Sequence, residues 1–127
     1  MQDKLLDVGA ERAVLAGLIQ YGIDGYITIS DFVNDDTFGN HNNQIIYKCV
    51  KHIINNDQSV DIASLLSAAE QLKFSETINT KQELKYIKSL FDFPVDKNNI
   101  VKFAAQMKKF EFARKIKKLT NKVNKDM

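Results

Sequence analysis

The sequence predicts an all-α fold, a compact bundle of about six helices ending in a long helical hairpin, and three observations predict it. Apolar residues recur at spacings of three and four in one window after another, the 3.6-residue period of a helix face. Glycine and proline are scarce, at five and one, and no stretch alternates as a half-buried strand does. The third observation is the stretch from Pro94 to Lys125, where Ile100, Phe103, Met107, Phe110, Ala113, Ile116, Leu119 and Val123 make one apolar stripe. From Lys97 to Lys125, at about 1.5 Å per residue, such a helix would run roughly 43 Å. A globule of this chain length has a radius of gyration of about 14 Å, so the helix should outreach the body and meet a partner there.

Taken in order, residues 1–7 are polar and unpatterned and read as a short mobile lead. The first helix is expected from Ala10 to Tyr21, with Val14, Leu15, Leu18 and Ile19 on one face. Gly17 inside it costs about 1 kcal/mol against alanine, a cost that a close helix crossing would explain. Glu11 lies in the first turn, where a carboxylate favours the positive helix end. Between Gly22 and Gly39, the residues Tyr26, Ile27, Ile29, Phe32 and Val33 fit a short helix better than a strand. Asp35, Asp36, Thr37, Phe38 and Gly39 read as a surface turn with one aromatic tucked inward.

Asn40 to Asn56 reads as the central buried helix, its wide face of Ile45, Ile46, Cys49, Val50, Ile53 and Ile54 requiring cover on more than one side. Asp61 caps the next helix, which presents Ile62, Leu65, Leu66, Ala69 and Leu72. Residues 73–79 read as a polar loop. Thr80-Lys81-Gln82-Glu83 fits a capping box, and Leu84, Ile87, Leu90 and Phe91 give the helix after it an apolar side. Phe93-Pro94 ends that helix and Asp96 can cap the last one, so the two final helices are expected to pair as an antiparallel hairpin. The organisation expected is a single domain, with a helical body at 1–95 that includes the first arm of the hairpin and a long helix at 96–127 leading into a linker.

With 127 residues, 44% hydrophobic and 27% charged, the chain can bury a core without staples. Its lone cysteine, Cys49, cannot form an internal disulfide and reads as an inert packed thiol. No run approaches a membrane span and no signal pattern opens the chain, so a cytoplasmic, membrane-free protein is expected. The net charge of +2 divides unevenly. Residues 1–96 carry eight bases against fourteen acids, a net −6, and residues 97–127 carry ten bases against two acids, a net +8. A basic final helix is either a solvated face or a stripe of candidate nucleic-acid contacts, for which Lys108, Lys109, Arg114, Lys117 and Lys118 are the residues.

Chemistry by the chain itself is not expected. There is no GxxxxGK[ST] loop, no GxGxxG, HExxH, nucleophile elbow or CxxC. His41 and His52 stand eleven residues apart, no spacing for a metal on a helix, and the adjacent Asp35 and Asp36 lack further ligand-spaced carboxylates. No catalytic residue, metal or cofactor is assigned.

Glu11-Arg12-Ala13-Val14-Leu15-Ala16-Gly17-Leu18-Ile19 resembles the opening helix of the N-terminal domain of DnaB-type replicative DNA helicases. Asp36-Thr37-Phe38 followed by Gln44-Ile45-Ile46-Tyr47 is similar to that family's acidic-aromatic turn and third helix. Val60-Asp61 with Leu65 and Leu72 resembles the start of its fourth, and Tyr86-Ile87, Leu90, Asn99-Ile100, Phe103 and Arg114 resemble its terminal helical hairpin. The likeness spans residues 8 to 120. Departures at Gly39, Asn43, Gln44 and the 73–82 loop point to a phage or organelle member.

The resemblance implies a DnaB helicase N-terminal-domain-like fold and a non-catalytic role, in hexamer collar assembly and the docking of primase during DNA replication. The ATPase, with its ATP and Mg, would lie in a separate motor domain that this stretch of chain lacks. Expected partners are other copies of the chain (a dimer, trimer of dimers or hexamer), primase and a helicase loader, with single-stranded DNA engaged mainly through the missing domain at a replication fork. Leu90, Phe91, Phe93, Ile100, Phe103, Met107 and Phe110 are the expected interface, although Ile100 and Phe103 could instead cover the domain's own core. The competing readings are a stand-alone DNA-binding accessory protein or helicase loader and, more simply, a helical adaptor.

Overall fold

The computed structural model describes the backbone of residues 5–126 and the side chains of residues 5–122. Residues 1–4 of the expected lead, and the Val123 side chain at the end of the expected stripe, lie outside what is described. The elements in order are α1 (Val8–Tyr21), α2 (Ile23–Ile29), a 3-10 turn (Asp35–Thr37), α3 (His41–Asn55), α4 (Ile62–Gln71), α5 (Ser75–Ile78), α6 (Lys81–Phe91) and α7 (Lys97–Asp126). The all-α expectation holds. The helix beyond the expected six is α5, inside the stretch read as a polar loop, where Ile78 turns inward and is buried.

Local chemistry fixes the helix starts. Asp7 Oδ1 accepts the Ala10 amide at 2.9 Å, so α1 begins two residues before the expected Ala10. Asn40 accepts the Asn43 amide at 3.0 Å, Asp61 that of Ser64 at 2.7 Å and Thr80 that of Glu83 at 3.1 Å. Asp96 takes the Asn98 amide at 2.8 Å, as expected of a cap for the last helix. The Thr80 box is not reciprocal, because the Glu83 carboxylate accepts Asn42 Nδ2 at 3.1 Å. A reciprocal box closes instead between Asn34 and Thr37. Gly22 ends α1 at φ +57°, a left-handed backbone that suits glycine, and the chain turns directly into α2.

The core is built on two helices. α3 packs against α1, α2, α4, α5 and the 3-10 turn, which covers its wide apolar face as expected. α1 packs against α2, α3, α6 and α7, and its Ala13, Val14, Leu15, Ala16 and Leu18 are buried. Its small residues allow close approach on several sides. At Gly17 an added Cβ would stand 2.6 Å from Ile100 Cδ1, so the close crossing expected there is the one with α7.

The last two helices follow one another across the Pro94 turn, but each packs mainly on α1. α6 packs on α1 and α5, whereas α7 packs on α1, α2 and the 3-10 turn. The link between them is pinned to α1: the Arg12 guanidinium lies 4.9 Å from the Phe93 ring centroid, Tyr21 Oη donates to the Val95 carbonyl at 2.6 Å, and Val95 is buried. α1 thus offers both arms an apolar face, and each takes α1 rather than the other. Among the described residues, no helix is long and apolar enough to cross a membrane.

Candidate interaction surface

The inner face of α7 sets what its outer face can do. Ile100, Ala104, Met107 and Glu111 follow at i, i+4, i+7 and i+11 and are all buried. The first three are apolar and close the core over α1. The fourth is a carboxylate, and there the inner face changes from apolar to polar. Glu111 Oε1 accepts Thr37 Oγ1 at 2.9 Å and Lys108 Nζ at 3.3 Å, and Lys115 Nζ lies 2.8 Å from Oε2. Burial pushes its acidity toward the neutral form, but the bonds from Lys115, Thr37 and Lys108 outweigh that and hold the carboxyl below the ordinary value. One turn on, Arg114 donates to the carbonyls of Leu5 at 2.9 Å, Asp36 at 3.1 Å and Thr37 at 3.1 Å. This guanidinium ties α7 to the 3-10 turn and to the segment before α1.

A second carboxylate holds the same turn from the other side. Glu11 is buried and accepts the Gly39 amide at 2.7 Å, the Asn40 amide at 3.3 Å and Asn43 Nδ2 at 3.0 Å. Glu11 does lie in the first turn of α1, as expected, and from there it also serves the backbone entering α3. Asn43 Oδ1 in turn accepts Tyr86 Oη at 2.8 Å, which brings in α6. Burial leads the upward shift of the Tyr86 hydroxyl, which stays protonated as a donor. Gly39 fits tightly, since an added Cβ would stand 2.7 Å from Leu6 Cβ and 2.9 Å from Arg114 Nη1. These groups position backbone; they form no nucleophile and base pair. Cys49 is buried, its thiol pushed up to about 11 by burial, which fits the inert thiol expected.

The residues expected at a partner interface separate into three groups. Leu90, Ile100 and Met107 are buried in this chain's own core, so they offer no surface, and the own-core reading of Ile100 is the right one. Phe91 and Phe93 are half-buried against that core, and Phe110 is half-buried. Phe103 is exposed at 37%. The apolar side chains that α7 presents outward are Phe112 at 67%, Ile116 at 47% and Leu119 at 60% exposed, at i, i+4 and i+7. Sequence reasoning missed Phe112 because it followed one stripe along the whole helix. The inner face runs 100, 104, 107, 111 and 114, and the outer stripe lies well round from it.

The expected nucleic-acid cations divide as well. Arg114 is spent on backbone carbonyls and Lys108 is paired with Glu111. Lys109, Lys117 and Lys118 are exposed. Among the described residues, no group of three or more His, Cys, Asp or Glu could hold a metal ion.

Comparison with known proteins bears on the whole arrangement. The family model described as the DnaB-like helicase N terminal domain matches residues 3–109. The crystal structure of the N-terminal domain of DnaB helicase from Mycobacterium tuberculosis superposes with a TM-score of 0.82 at 15% identity. That match covers 97% of this chain and 86% of the other. No curated protein matches the sequence.

Proposed function

This chain belongs to the family of DnaB-like helicase N-terminal domains, and from that premise we propose that it is a non-catalytic assembly module of a replicative helicase. In this reading it pairs with other copies of itself to build the collar of a ring on which primase docks. The observation that carries the proposal is the outer stripe of Phe112, Ile116 and Leu119, which the chain's own body leaves exposed. Three large apolar side chains on one helix face are the seam through which helices associate in water. Burying one of them is worth about 1.5–3 kcal/mol, tenfold or more in a dissociation constant.

Sedimentation velocity over a concentration series tests this. The chain should self-associate, and Phe112→Glu should weaken association by roughly tenfold or more with the melting of the helical body unchanged. A chain that stays monomeric throughout, with the variant indistinguishable from it, refutes the reading. Binding of nucleic acid through the basic face is the second reading, favoured by the exposed Lys102, Lys109, Lys118 and Lys122 on α7. It requires an affinity for single-stranded DNA that falls steeply with added salt.

A further inference from the structure

A groove of about 400 Å³ runs between the start of α1 and the link that joins α6 to α7. Its lining is mainly apolar, with Ala13, Phe93, Pro94 and Val95 from these segments and the exposed Phe103 of α7. The charged residues described in its lining are both acids, Asp7 and Asp96. Arg12, which lies over the Phe93 ring, does not line it, nor do Lys97 and Lys102.

The outer stripe of α7 has the opposite character. From Phe112 to Lys125 the sequence holds no acid. Lys109, Lys115 and Lys122 stand three or four residues from Phe112, Ile116 or Leu119 and so flank them, and all three are exposed, Lys115 even while paired with Glu111. At 3.6 residues per turn, Phe103 lies on nearly the opposite side of α7 from that stripe. One copy therefore carries two separate apolar surfaces, one rimmed by carboxylates and one by ammonium groups.

We propose that the α7 stripe docks into this groove on a second copy of the chain. The inference rests on the assembly reading above and specifies the surface that receives the stripe. A groove of this volume is in the range that takes a group larger than one side chain, and Asp7 and Asp96 at its rim complement the lysines that flank the stripe. Stripe against stripe would instead bring two lysine-flanked surfaces together, where like charges oppose association, and would leave the groove and Phe103 in water. Stripe in groove covers both apolar surfaces at one contact and sets cations against acids. The division of charge along the chain, acidic over residues 1–96 and basic over 97–127, is the same complementarity at full length. Such a contact is heterologous. A joined pair keeps one stripe and one groove, further copies add head to tail, and the series closes into a ring where the rotation permits.

Sedimentation velocity of the full chain, with variants of each surface, tests the pairing. Asp7→Asn combined with Asp96→Asn removes both rim charges and keeps the side-chain oxygens that cap at Ala10 and Asn98. Phe103→Lys places a cation on the groove, and Leu119→Glu spoils the stripe. The double asparagine variant should weaken self-association severalfold and Phe103→Lys by roughly tenfold or more, each melting as the unaltered chain does. Added salt should weaken association of the unaltered chain. Mixed in equal amounts, Phe103→Lys and Leu119→Glu should form a dimer that neither forms alone, and nothing larger, because the intact stripe of one fits the intact groove of the other. Groove variants that associate like the unaltered chain, while Leu119→Glu does not, overturn the inference and leave the assembly reading standing on a symmetric seam. A mixture that stays monomeric overturns it as well. An unaltered chain that is monomeric at every concentration removes both.

Discussion

At the scale of single residues, the informative ones are the buried charges, because each must be answered by named partners. Glu111 is the clearest. Its folded-state acidity is held below the ordinary 4.5, so the unfolded chain binds more protons than the folded one as the pH falls through that range. The stabilisation is therefore present above about pH 4.5 and lost as the pH drops through the folded value. Glu111→Gln should cost about 1–3 kcal/mol at neutral pH, the usual range for hydrogen bonds to a charged group. The variant should also lose part of the acid limb of the stability curve, so that the gap between the two proteins closes as the pH falls through the folded value of Glu111. Denaturant melts at neutral and acid pH decide it, and a gap independent of pH would mean that the carboxylate form is not what the fold selects. Lys115→Ala should cost under about 1 kcal/mol, since its side chain is 61% exposed. The sequence held little warning of this cluster. Glu111 read as one of two acids on a basic helix, and Arg114 as a candidate nucleic-acid contact. Their roles depend on carbonyls and hydroxyls at residues 5, 36 and 37, far off in the chain. No spacing rule within a helix reports such partners.

At the scale of elements, boundaries and inward faces were legible where the determinants are local. Asp61, Thr80 and Asp96 cap as their positions imply, and α3 presents the apolar face its spacing predicts. Substituting Asp61 with alanine should destabilise the chain by about 1 kcal/mol, measurable in chemical denaturation. A null effect would mean that α4 is held by packing alone. The packing of α6 and α7 each on α1 was not legible, because a proline between two amphipathic helices marks a turn and says nothing of which neighbour each arm prefers. That choice was made by α1, whose small residues admit α7 at close range. Gly17 is the tightest point. Gly17→Val would drive its side chain into Ile100, which is fully buried and closed in by α1. Overpacking of that kind costs about 1–3 kcal/mol and outweighs the few tenths of a kcal/mol that valine gains over glycine in helix propensity. Thermal unfolding should show the loss, and pairing the change with Ile100→Ala should recover part of it if the clash is the cause.

At the scale of the whole molecule, α7 has two regimes. Up to Arg114 it is held by the core, by Glu111 and by the carbonyls of residues 5, 36 and 37. Beyond that, residues 115–122 are all exposed. A single helix stretch of about a dozen residues is marginal in water, since its nucleation cost is repaid mostly by packing of an amphipathic face. Continuity with the anchored half removes the nucleation cost but supplies no packing. If the exposed Ile116 and Leu119 are the proposed seam between copies, the order of this half should depend on association. Amide hydrogen exchange resolves the point without any substitution. In dilute solution, protection should be high from Ile100 to Glu111 and fall away after Arg114. Raising the protein concentration should protect residues 115–122 while leaving the core rates unchanged. Leu119→Glu should abolish that dependence and leave the protection of Ile100 and Met107 intact. Strong protection of 115–122 at every concentration would show a helix that stands alone, and the outer stripe would then have no claim to be a seam between copies.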